Sequence, residues 1–128
     1  MKHYTAFVAA ILALAFALAP AAALAQRGPL SSVADPELEK LSDHNLDVGR
    51  QYYKKKAYEG AKGRLEEILA TYPEYTQLDE VYYLLGMIYL KTKEVDAAKE
   101  MFTRLVDERS ESELAAKARE ELDRLGKN

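Results

Sequence analysis

Laid on itself at an offset of 37 residues, this chain repeats its own pattern. Gly49 falls on Gly86, Tyr52 on Tyr89, Ala61 on Ala98 and Leu65 on Phe102. The same offset carries Leu78 onto Ala115, Val81 onto Ala118, Leu85 onto Leu122 and Ile88 onto Leu125. Two full units and a terminal half unit result. A repeat of this length is one supersecondary element that cannot bury its apolar face alone, so neighbouring units must stack. That excludes most architectures built around a single closed core and leaves the solenoids.

The composition of a unit follows from its spacing. The stretch VYYLLGMIYL at 81–90 carries no charge, and alone it fits a buried strand, a shortened membrane segment or the buried face of a helix. Within it Tyr82, Leu85, Gly86 and Tyr89 stand at i, i+3, i+4 and i+7, one face of a helix. Apolar residues keep helical spacing elsewhere (Leu38, Leu41; Val48, Tyr52; Leu65, Ile68, Leu69; Met101, Phe102, Leu105, Val106), and no long stretch alternates with period two. Helices are expected at about 36–54, 58–71, 76–91, 95–108 and 112–125, the fold class being an all-α solenoid of helix-turn-helix units. Asp35-Pro36-Glu37 suits a helix start, and Ser112-Glu113 another. Gly86 leaves a gap at the centre of its face, and Ala98 on the next helix lets the pair approach, with Tyr89 and Phe102 around the contact. A helical glycine costs about 1 kcal/mol relative to alanine, which close packing offsets.

The chain's 128 residues suffice for one small domain, expected at 36–126 with units at about 42–78 and 79–111 and a capping helix at 112–125. Residues 1–25 read as a secretory signal peptide. Lys2 precedes an apolar run at 7–18 and a small-x-small site, Ala23-Leu24-Ala25, with cleavage expected after Ala25. Retention as an anchor is the alternative, although the run falls short of the roughly 20 residues a span needs. Gln26 to Asp35 reads as a flexible linker. Loss of Lys2, the one residue of 1–25 counted in the formal charge, moves the net charge from −3 to −4. A mildly acidic chain does not point to nucleic acid. With no cysteine, the domain is held by packing rather than disulfides, and lipid attachment at a cleavage-site cysteine is excluded. The expected location is periplasmic or secreted.

The second unit reads Tyr82-x2-Leu85-Gly86-x2-Tyr89, then Ala98-x3-Phe102; the first reads Asn45-x2-Val48-Gly49-x2-Tyr52, then Ala61-x3-Leu65, then Pro73. Both resemble the tetratricopeptide repeat, W-x2-L-G-x2-Y…A-x3-F…P, over about 45–125. The period is 37 rather than 34, the three extra residues falling between Pro73 and Tyr82. The long connection, Tyr72-Pro73 after a second helix and Tyr58-x2-Ala61 at its start resemble the repeats of outer-membrane assembly lipoproteins. They are similar also to those of the periplasmic Tol–Pal coordinator. The resemblance implies a non-catalytic periplasmic scaffold near the outer membrane, binding another protein or peptide.

Catalytic chemistry finds little to build on. After signal removal His44 is the one histidine, in SDHN, and reads as a solvated helix residue. Ser42 and Asp47 share its helix, which does not give triad geometry. No phosphate-binding or dinucleotide loop and no clustered metal ligands occur, so no enzyme activity, cofactor or metal is expected. The acid pairs Glu66-Glu67 and Glu120-Glu121 point in different directions on a helix. Lys54-Lys55-Lys56 fits attraction to anionic lipid or nucleic acid, but a helix C-terminus and a polar turn explain it more simply. The resemblance instead implies a groove lined by the first helix of each unit: Leu46, Arg50 and Tyr53, then Tyr83, Met87 and Leu90. Tyr, Met and Arg are enriched at interfaces. The other reading has the third-helix set, Tyr83, Met87 and Leu90, covered by the N-terminal segment or the capping helix, and both stay open, as does self-association through uncovered repeat ends.

Overall fold

The computed structural model describes residues 34–127; the signal segment and most of the expected linker lie outside the described residues. Five helices follow in order: α1 (Pro36–Lys54), α2 (Tyr58–Thr71), α3 (Leu78–Lys91), α4 (Val95–Glu108) and α5 (Glu113–Gly126). All fall within two residues of their expected positions. Residue 35 starts α1 as the spacing implied, its carboxylate accepting the Glu37 and Leu38 N–H groups at 3.0 and 3.2 Å. Ser112 caps α5 by accepting the Leu114 N–H at 3.2 Å. Helix α3 begins two residues later than expected because Thr76 and Gln77 turn back to α1, where Thr76 bonds Glu39 and Gln77 bonds Asp43.

The helices form two hairpins, α1–α2 and α3–α4, and α5 closes the second. Both hairpin turns have the same construction. The Lys56 and Ala57 N–H groups bond the Tyr53 and Tyr52 carbonyls, and the Lys93 and Glu94 N–H groups bond those of Leu90 and Tyr89. This double bond pattern terminates a helix with one residue in the left-handed region, here Lys56 (φ 59°) and Lys93 (φ 63°).

The close approach within each hairpin is real and unequal. A Cβ added at Gly86 would stand within 2.8 Å of three Phe102 ring atoms, whereas one at Gly49 would meet Leu65 Cδ2 at 3.0 Å. Ala61 and Ala98 are wholly buried beside these contacts. The core then continues between units through α2–α3 and α4–α5 packing. One of its largest members comes from a connection rather than a helix: Tyr75 is fully buried, its hydroxyl donating to Asp43 at 2.6 Å. The Tyr75 carbonyl accepts from Arg109 at 3.0 Å, so one residue ties α1 to the end of α4.

Candidate binding face on the first helices of the units

Helices α1, α3 and α5, the first of each unit, lie in sequence, with α3 touching both others. Of the residues expected to line a groove there, Leu46 is a correction. It is fully buried in the core, because α1 packs against α3 as well as α2 and so buries a wider stripe than a two-helix contact requires. It offers a partner no surface.

Arg50 reaches the surface but is committed. Its Nε donates to Glu80 at 2.6 Å and its Nη2 to the second oxygen of the same carboxylate, joining α1 to α3 in a two-pronged pair. Its Nη1 donates to Asp47 at 2.7 Å. The bonds to Glu80, against partial burial, hold the guanidinium yet more firmly in its charged form.

Tyr53, Tyr83, Met87 and Leu90 are each half-buried and packed against the core rather than within it. Tyr53 meets Tyr58 edge-on at 5.9 Å, and Tyr83 leans on Phe102 at 6.0 Å. Burial pushes the Tyr83 phenol above its ordinary range, and Glu121 and Tyr53 add to the shift while Arg124 opposes it. Tyr83 lies on α3, the helix that touches both α1 and α5. Sequence reasoning missed the charged rim that α5 supplies through Glu120, Glu121 and Arg124. The signal was available, since the same offset of 37 carries Tyr83 onto Glu120 and Met87 onto Arg124.

The opposite side carries polar clusters whose members satisfy one another. Tyr82 donates to Glu108 at 2.6 Å while the Arg104 guanidinium lies 4.8 Å over its ring. Ser112, in the α4–α5 turn, donates to Asp79 at the start of α3 at 2.7 Å. His44 is exposed on α1. Among the described residues no group of three His, Cys, Asp or Glu is placed to hold a metal, and no helix is long and apolar enough to cross a membrane.

Equivalent hairpins stacked in a constant register, with a half-exposed apolar strip along their first helices, define an α-solenoid of the helix-turn-helix kind. Within that class, the chain belongs to the tetratricopeptide repeat family, whose model matches residues 52–122. Repeats of this family generally mediate protein–protein interaction and are typically non-catalytic. No curated protein and no solved structure matches the chain significantly.

Proposed function

We propose that the protein is an exported, non-catalytic scaffold that binds another protein in the bacterial envelope, as an adaptor in envelope or outer-membrane assembly. The observation that carries the binding face is the strip Tyr53, Tyr83, Met87 and Leu90, half-exposed on first helices and not consumed by the core. Flat aromatic and methionine surface gives contact area at small entropic cost, and its charged rim from α5 supplies orientation. Export rests on the order of features in residues 1–25, and the envelope role on the long connections and Tyr72-Pro73 placement of the repeats.

The test is recovery of partners from an envelope extract by the native protein and by Tyr83→Ala/Met87→Ala, with circular dichroism confirming that both fold. Loss of the same bands in the variant is expected; equal recovery removes the strip from the binding face. Fractionation with mass analysis of the N-terminus tests export, the expected species being periplasmic and starting at Gln26.

A further inference from the structure

Lys54, Lys55 and Lys56 close α1, and in the same register Lys91 and Lys93 close α3. The helix dipole accounts for a cation in each last turn, Lys54 and Lys91. It does not account for Lys56 and Lys93, which lie beyond the C-caps. Both occupy the left-handed conformation that glycine adopts at least cost, and they are the only non-glycine residues at positive φ among those described. Backbone strain kept twice, at equivalent positions and by the same charged residue, points to use of the charge.

The geometry gathers these lysines on one edge. The chain reverses at each short turn, so the C-terminal ends of α1 and α3 lie at the same end of the stack. Lys62, early in α2, reaches Glu94 of the second turn at 3.7 Å, which sets the two turns side by side. Lys62 also pairs with Glu59 at 3.0 Å; of the acids at this end, Asp96 in the first turn of α4 has no ion-pair partner among the described residues, and the lysines outnumber the acids there. The five turn lysines are exposed, and no carboxylate pairs with them among the described residues. Acids gather at the other end, where Glu37, Glu39, Asp79, Glu80 and Glu113 stand at or near the starts of α1, α3 and α5. All 21 acidic residues lie at or after Asp35 against 16 of the 18 basic ones, so a domain of formal charge −5 carries one cationic edge.

We propose that this lysine edge docks the domain onto an anionic phospholipid surface, with the acidic edge turned away. A net-acidic body repels a polyanion that would wrap it, whereas a plane meets one edge alone. The turns use lysine only, a point charge suited to diffuse attraction, and no arginine fork for bidentate recognition. Each lysine brought to such a surface strengthens partitioning roughly fivefold.

The test is vesicle co-sedimentation of the full chain with phosphatidylcholine alone and with phosphatidylcholine containing phosphatidylglycerol. The apolar run at 7–18 partitions whatever the headgroup charge, so the ratio between the two vesicle types is the readout. A ratio well above one is expected, falling roughly 25-fold in Lys56→Gly/Lys93→Gly at about fivefold per lysine. It should also collapse between about 0.1 M and 1 M salt as the screening length shortens. Glycine suits both left-handed positions, so this variant's thermal midpoint should stay level or rise. Three results would overturn the proposal: no preference for the anionic vesicles, an unchanged ratio in the glycine variant, or an equal fall in Lys117→Ser/Arg119→Ser on α5, which would mean that net charge alone acts. Binding of a short DNA duplex through the same lysines in place of vesicles would overturn it as well.

Discussion

Three glycines in near-identical helical settings separate packing from propensity. Alanine in place of a helical glycine gains up to about 1 kcal/mol of helix propensity, so the sign of each substitution depends on what the added methyl meets. At Gly63 nothing lies within 4 Å, and Gly63→Ala should raise stability by about 0.5–1 kcal/mol. At Gly49 the methyl meets the end of the Leu65 side chain at 3.0 Å, which can shift, and the change should be near neutral. At Gly86 it meets the Phe102 ring, pinned in the core without exposure. Overpacking costs about 1–3 kcal/mol, so Gly86→Ala should be destabilising on balance. Thermal denaturation checks the order, each kcal/mol moving the midpoint of a domain this size by about 4–8 °C. The Gly86–Phe102 contact was legible in advance because its two sides lie in adjacent helices of one unit. Leu46 was not legible, because its burial depends on a helix of the next unit.

Between elements, tyrosine hydroxyls do much of the joining. Tyr82 of α3 bonds Glu108 of α4, Tyr89 of α3 bonds Glu66 of α2, and Tyr75 of the connection bonds Asp43 of α1. Burial, then the bond to the carboxylate, raises all three phenols, Tyr82 to about 12. A phenol that ionises near pH 10 in the unfolded chain keeps its proton to higher pH when folded. The stabilisation is therefore complete below about pH 10 and drains away as pH rises towards 12. Thermal midpoints should fall across that interval, and Tyr82→Phe should flatten the fall while lowering stability at neutral pH by about 1–2 kcal/mol. Tyr75→Ala should cost about 3–5 kcal/mol, as for other large aromatic truncations in a core. Because Tyr75 links α1 to the end of α4, that variant should also broaden the denaturant transition as the two units lose coupling. A transition as sharp as the native one would argue against this role. The sequence showed a long connection at YPEYT but not that its second tyrosine is among the largest fully buried side chains, since no period marks a residue used once.

For the described residues as a whole, α5 covers the side of the α3–α4 hairpin that would otherwise stay open. Ala115 and Ala118 face inward without exposure, and the helix touches both α3 and α4. Its outward side is mostly charged and offers another copy little apolar surface. A chain ending at Glu111 should associate with concentration in light scattering where the full chain does not. If the full chain associates equally, α5 is not an effective cap and the self-associating reading gains.

The helices, the hairpin pairing and the glycine contacts were readable from spacing alone, because each depends on residues within one unit of about 37. Three things depended on where the neighbouring units come to rest: the burial of Leu46, the commitment of Arg50 to Glu80, and the gathering of turn lysines on one edge. A repeat period specifies that units stack without specifying which faces the stacking consumes. That is set by inter-unit packing, and only the folded chain supplies it.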